Sequence, residues 1–257
     1  DSRQTEHECL VSFSNDTSSP TIFCALGLGM FAMSVKGLAD KLAPSYRLCV
    51  FEPPGMTSAQ MPLDDLDALL NLYMGTLLAH QPEGPVYLLG HSFGGSLVYE
   101  LAKRLEQLGR ETHLILIDCF FSIFEEDLGG FCSKKLFKSV YSQMNSSSSA
   151  VDDSVAASQH LNKFRSVVDS QYHMLKAYMP ETKLKGTTAV FFASQGAMSD
   201  PSKFEKVQDT YKALNDGQLD FIQVEGDHLS VFADDNSTSL ARHIVETYTV
   251  SNTAAAI

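Results

Sequence analysis

The sequence lacks what would take it to a membrane or to nucleic acid. No apolar stretch approaches the ~20 residues a membrane helix needs, so no membrane partner is expected. Lys and Arg number 19 against 31 Asp and Glu, a formal net charge of −12. A chain this acidic is repelled by phosphate backbones and anionic lipid, and no nucleic acid partner is expected. Cysteine is scarce: Cys9, Cys24, Cys49, Cys119 and Cys132, an odd number at scattered spacings. There is no C-x-x-C and no His/Cys cluster at zinc spacing, so neither a disulfide framework nor a metal is expected. Buried thiols in a reducing, cytoplasmic compartment are expected instead. No signal-peptide pattern is read and the sequence does not begin with Met; opening Asp1-Ser2-Arg3, it is expected to be a domain cut from a longer protein. N-x-[ST] sequons at Asn15, Asn145 and Asn236 are of a kind that arises often by chance, and no internal repeat is found.

What is present reads as one α/β domain over residues 1–257, with 44% hydrophobic and 19% charged residues. Apolar runs predict strands at Leu10–Phe13, Thr21–Ala25, Leu48–Phe51, Val86–Leu89, Leu114–Ile117, Ala189–Ala193 and Phe221–Val224. Helical spacing fills Phe31–Leu42, Leu63–Ala79, Ser96–Leu108, Leu161–Tyr178, Lys203–Leu214 and Thr238–Thr249. Strands alternating with helices imply βαβ units and a mostly parallel sheet covered on both faces. One interval breaks the rhythm: about 70 residues separate Asp118 from the strand at Ala189. It holds Phe120, Phe121, Phe124, Phe131, Phe137 and Tyr141, then a serine run, Ser146–Ser149. Long insertions are usually lids or binding elements, so a helical lid is expected over about 120–165. A surface hairpin without a role is the bland alternative.

The stretch "YLLGHSFGGSLVYELAKRL", Tyr87–Leu105, passes from an apolar strand into helical spacing through Gly90-His91-Ser92-Phe93-Gly94. A turn that tight crowds the backbone, and the flanking Gly90 and Gly94 relieve the crowding. Ser92 is then held strained, with its hydroxyl exposed, which is characteristic of functional sites. In this setting G-x-S-x-G resembles the nucleophile elbow of the α/β-hydrolases.

A serine hydroxyl is a poor nucleophile at neutral pH and needs a base, which in turn needs an orienting acid. In that fold the chain order is Ser, acid, His, so the base follows Ser92. Of His113, His160, His173, His228 and His243, only His228 sits in a loop after a strand, in Val224-Glu225-Gly226-Asp227-His228-Leu229. Such loops at the carboxyl ends of parallel strands are where sites gather. Asp118, at the end of Leu114–Ile117, is the favoured acid; Asp200, after Ala189–Ala193, is the alternative. Asp227 adjoins His228 in sequence, which makes contact with the correct ring nitrogen awkward. An oxyanion hole needs two backbone N–H groups. Phe93 should supply one, and the loop Leu26-Gly27-Leu28-Gly29-Met30 the other, at Leu28 within a residue either way.

From Thr21 to Thr249 the chain resembles the thioesterase domains that end nonribosomal peptide synthetases and polyketide or fatty acid synthases. The motifs are "TIFCALGLGMFAMSVKGLADKL", "PSYRLCVFEPPG", "QPEGPVYLLGHSFGGSLVYELAKRLEQLGR", "LILIDCF" and "VEGDHLSVF". The resemblance implies Ser92 as nucleophile, Asp118 as acid, His228 as base, and Leu28 and Phe93 as oxyanion amides. Where many members carry a His-Pro-x-Gly-Gly-like stretch, this chain has Leu26–Met30, which leaves the second oxyanion donor open. It implies no bound cofactor. The substrate would be an acyl or peptidyl thioester on the phosphopantetheine arm of a carrier protein, expected in the same polypeptide. Release would be by hydrolysis or by ring closure, from a domain expected to be monomeric once excised. Lys134, Lys135 and Lys138 offer a basic cluster for an acidic carrier, or simply a solvated helix face. A free-standing editing thioesterase or general esterase of the same fold is the alternative. A catalytically dead docking module is disfavoured, because all three polar positions are present.

Overall fold

The computed structural model describes residues 9–58, 60–121, 155–195 and 199–254, the side chains of 155–161 and 249–254 excepted. Its strands are β1 (Leu10–Ser12), β2 (Thr21–Ala25), β3 (Arg47–Phe51), β4 (Val86–His91), β5 (Thr112–Ile117), β6 (Thr187–Ala193) and β7 (Leu219–Val224). They form one seven-stranded sheet in the order β1-β3-β2-β4-β5-β6-β7. β1 pairs antiparallel with β3, and every other pairing is parallel. The described helices are α1 (Lys36–Leu42), α2 (Leu66–His80), α3 (Phe93–Gln107), α4 (Val155–Ala177), α5 (Pro201–Ala213) and α6 (Asp234–Ala254).

Successive strand residues point to opposite faces, so the sheet splits the core in two. Phe23, Ala25, Leu88, Leu114 and Leu116 pack with α2, α3 and α5. Ile22, Cys24, Leu89, Ile115 and Ile117 pack with α1 and α6. Each such buried aliphatic residue contributes about 1.5–3 kcal/mol of transfer free energy. That explains why β4 and β5 are buried throughout, with polar side chains gathered near their ends. Cys9, Cys24, Cys49 and Cys119 are buried free thiols, and Cys132 lies outside the described residues. No helix among the described residues is long and apolar enough to cross a membrane.

The topology determines where a site can form. The chain leaves β2 for β3 on one side, and returns to lay β4 on the other side of β2. Helix α1, which follows β2, covers one face, and α3, which follows β4, covers the other. The crevice between their starting loops, at the carboxyl ends of β2 and β4, is the switch point where ligands bind in such sheets.

Two expectations shift. Helix α3 begins at Phe93 rather than Ser96, because Gly94 and Gly95 belong to its first turn rather than breaking it. Both are small for packing reasons: a Cβ on Gly94 would lie 2.0 Å from the Ala25 carbonyl oxygen, and one on Gly95 would lie 2.2 Å from Cys119 Sγ. The aromatic stretch after β5 also divides. Phe120 and Phe121 are core residues, Phe121 packing on Tyr99, Tyr178 and Tyr211. Phe124, Phe131, Phe137, Tyr141, the serine run and the basic cluster Lys134, Lys135 and Lys138 lie outside the described residues.

Candidate active site

Strand β4 ends at His91, and Ser92 takes φ 53° and ψ −124° before the chain enters α3. A positive φ costs a residue with a Cβ of order 1–3 kcal/mol and persists only where its surroundings enforce it. They do so here. Ser92 N–H donates to the Ile117 carbonyl at 3.1 Å. A Cβ on Gly90 would lie 2.5 Å from Gly95 Cα, so strand and helix meet almost backbone to backbone. The hydroxyl of Ser92 is left at the sheet's carboxyl edge.

Asp118 follows β5 and also takes a positive φ, 48°. That bend turns its carboxylate along the sheet edge instead of into the strand pleat. Asp118 Oδ1 accepts from the Ala193 N–H at 2.9 Å, and Oδ2 lies 2.9 Å from His228 Nδ1. A carboxylate only accepts here, so Nδ1 carries the proton and Nε2 is free to accept. His228 Nε2 lies 3.1 Å from Ser92 Oγ. The structure thus brings Ser92, Asp118 and His228 into one relay. Asp118 is buried while the His228 side chain is 39% exposed, so the relay opens to solvent at the histidine and serine end.

The other candidates lie elsewhere. Asp200 caps the amino end of α5, its carboxylate accepting from Ser202 N–H at 2.9 Å. It makes no described contact with His228. Asp227 accepts from the N–H groups of Leu229 and Ser230 at 3.0 and 2.8 Å, which folds the loop around His228 without touching its ring. His113 stacks on Tyr87 in the core, and His173 is exposed on α4.

Two amides lie near Ser92. Phe93 opens α3, where unpaired N–H groups and the helix dipole favour negative charge. The loop after β2 closes as a four-residue turn, Met30 N–H to the Gly27 carbonyl at 3.1 Å. A Cβ on Gly27 would lie 3.1 Å from Ser92 Cβ, so this turn sits against the serine. No described hydrogen bond engages the N–H of Leu28 or of Phe93. A serine whose hydroxyl faces the accepting nitrogen of an imidazole, with amides next to it, can attack a carbonyl carbon and hold the resulting oxyanion.

Sequence reasoning missed the supports. His91 Nε2 lies 2.9 Å from the His228 carbonyl oxygen, and the two rings are 4.8 Å apart. Burial pushes its pKa well below that of an ordinary histidine, so His91 is neutral. Glu52 follows β3, and its carboxylate accepts from the Ala32 N–H at the start of the short 3-10 helix Ala32–Val35. Burial raises its pKa. A neutral histidine before the nucleophile was visible in the motif, but its partner, a backbone carbonyl 137 residues away, was not. Among the described residues no group of His, Cys, Asp or Glu could hold a metal ion.

Comparison with known proteins agrees with this architecture. A family model for the thioesterase domain matches residues 20–248. Enterobactin synthase component F of Escherichia coli (strain K12) is 33% identical over 95 residues, 37% of this chain and 7% of that protein. Surfactin synthase subunit 3 of Bacillus subtilis (strain 168) is 31% identical over 121 residues, 47% of this chain and 9% of that protein. The matches thus span less than a tenth of these relatives' length. Two solved structures share the fold. The type II thioesterase BorB from the borrelidin biosynthetic cluster has a TM-score of 0.72 at 20% identity, over 93% of this chain and 96% of BorB. The surfactin-cyclizing thioesterase domain SrfTE has a TM-score of 0.71 at 19% identity, over 95% of this chain and 97% of its own.

Proposed function

The chain belongs to the thioesterase domain family, and from that premise we propose that it releases acyl or peptidyl chains from a carrier protein. The observation that carries this reading is the relay Ser92 Oγ–His228 Nε2 at 3.1 Å and His228 Nδ1–Asp118 Oδ2 at 2.9 Å. In the proposed reaction His228 takes the Ser92 proton as Oγ attacks the thioester carbonyl. The tetrahedral oxyanion accepts from the amides of Leu28 and Phe93. The C–S bond breaks, His228 returns the proton to the departing sulfur, and an acyl ester on Ser92 remains. Water, or an amine or hydroxyl of the chain itself, then attacks that ester through the same hole. Asp118 keeps the imidazole in the working tautomer and stabilises its charged form.

The substrate is the thioester of a carrier's phosphopantetheine arm. The partial relatedness to components of enterobactin and surfactin synthases supports this, and no bound cofactor is required. The test is intact-mass spectrometry with acyl and peptidyl thioesters of a short pantetheine mimic. An acyl adduct that is lost in Ser92→Ala supports the proposal, and the product mass separates water from an internal nucleophile. Turnover of simple oxygen esters with none on thioesters would overturn it in favour of a general esterase. The fold is shared equally with BorB, a type II thioesterase, and with SrfTE, so the second reading is a free-standing editing thioesterase. Preference for short acyl thioesters over peptidyl ones would select it.

A further inference from the structure

We propose that Gln171, on α4, is a positioning residue for the oxyanion loop: it pins the turn that aims the Leu28 amide at Ser92. This rests on the function proposed above.

The loop Gly27-Leu28-Gly29-Met30 is a β-turn closed by Met30 N–H on the Gly27 carbonyl. Its third residue, Gly29, has φ +71°, and Leu28 is not among the residues with positive φ. That combination is a type II turn. Types II and I differ by a half-rotation of the central peptide, here Leu28–Gly29. A glycine in third position allows both forms, so the sequence leaves the turn bistable.

One contact removes the choice. The Gly29 N–H, which belongs to that central peptide, donates to Gln171 Oε1 at 2.9 Å, and Gln171 is buried. The donor is an amide, so the side-chain oxygen must be the atom that faces it. Turning the peptide over would point the Leu28 carbonyl at Gln171 and strand a buried N–H. The helix is also seated tightly on the turn. A Cβ on Gly29 would lie 3.0 Å from Phe164 Cζ and 3.0 Å from Val168 Cγ2, both on α4. Lys163, on the same helix, donates to the Ser58 carbonyl at 2.5 Å, tying α4 to the loop after β3 as well. The Gly29 N–H is therefore committed to α4. Leu28 is left as this turn's donor to the oxyanion, and α4 fixes the geometry in which it does so.

The effect should fall on the transition state. A turn no longer held at Gly29 can shift on α4 and carry the Leu28 amide off line, so substrate still enters but part of the hold on the developing charge is lost. Rate should drop at unchanged KM. The drop should be smaller than the about 10²–10³ seen when a donor is deleted outright.

The experiment uses the whole chain with two readouts. One is kcat and KM on the thioester that the parent turns over. The other is the rate at which an alkyl fluorophosphonate labels Ser92, followed by intact mass. In that reaction Oγ bonds to phosphorus, fluoride leaves, the proton passes to His228, and the phosphoryl oxygen occupies the hole. Gln171→Leu removes the acceptor, Gln171→Glu keeps an oxygen in its place, and Met174→Ala loosens the same helix in the core while leaving the Gln171 acceptor in place.

The expected result is about a 5- to 50-fold loss of kcat and of labelling rate in Gln171→Leu, with KM within twofold. Gln171→Glu should recover most of the labelling rate. Met174→Ala should lose at least as much Tm while keeping both rates within about threefold. Parent-like rates in Gln171→Leu would overturn the inference. So would no recovery in Gln171→Glu, or an equal loss in Met174→Ala. A parent that labels but turns over no thioester would sink the proposed function and leave the inference to the labelling rates alone. A parent that does not label sinks both.

Discussion

His91 Nε2 lies 2.9 Å from the carbonyl oxygen of His228, so the residue before the nucleophile holds the loop of the base. A carbonyl only accepts, which places the His91 proton on Nε2. Its Nδ1 is buried without a described partner. Burial, then the nearby His228 ring, depresses its pKa. In the unfolded chain a histidine takes up a proton below about pH 6.5; folded His91 does not. Unfolding therefore binds a proton in that window, and stability falls as pH drops through it, by at most about 1.4 kcal/mol per pH unit. The Tm of His91→Phe should decline less than the parent's between pH 7 and 5. Equal declines in thermal melts would show that His91 is not the source.

Asp118 and Asp200 were both readable as the acid, and the structure joins only Asp118 to His228. Asp118→Asn should lower kcat by roughly 10³–10⁴ through the wrong imidazole tautomer. Asp200→Asn should stay within about threefold. Comparable losses in the two variants on a thioester would contradict the relay.

Leu28 offers a direct test of the hole. It is the second residue of the turn, where a type II turn favours proline. Leu28→Pro removes that N–H with little change of backbone, and should cost about 10²–10³ in kcat. Wild-type kcat in a folded Leu28→Pro would move the donor elsewhere in the loop.

Gly94 and Gly75 make opposite forecasts. A Cβ on Gly94 would strike the Ala25 carbonyl at 2.0 Å, so Gly94→Ala should yield little folded protein. Gly75, inside α2, has nothing within 4 Å of an added Cβ. Gly75→Ala should therefore stabilise by about 0.5–1 kcal/mol. Soluble expression and melting temperature read both outcomes.

The fold was legible because its strands are continuous apolar runs. Thr21–Ala25 was read to the residue, and the other strands differ mainly at their ends. Ser92 was legible because glycines bracket it between a strand and a helix. His228 and Asp118 were legible because each follows a strand on the same sheet edge. What escaped was set by distant backbone. The start of α3 depends on the Ala25 carbonyl, which fits against Gly94 without leaving a local mark. Gln171 was one polar residue in a helix with no motif around it. Its partner, the Gly29 N–H, lies 142 residues away, and every residue but proline carries such an amide.

The relay joins Ser92 to a base 136 residues downstream, and that base to an acid 110 residues before it. Contacts of such span carry a large loop-closure cost and form only with the sheet that brings them together. On the proposed chemistry, a chain whose β7 has not yet docked carries a serine with no base beside it. On that reading, reactivity toward thioesters depends on the strand that completes the sheet.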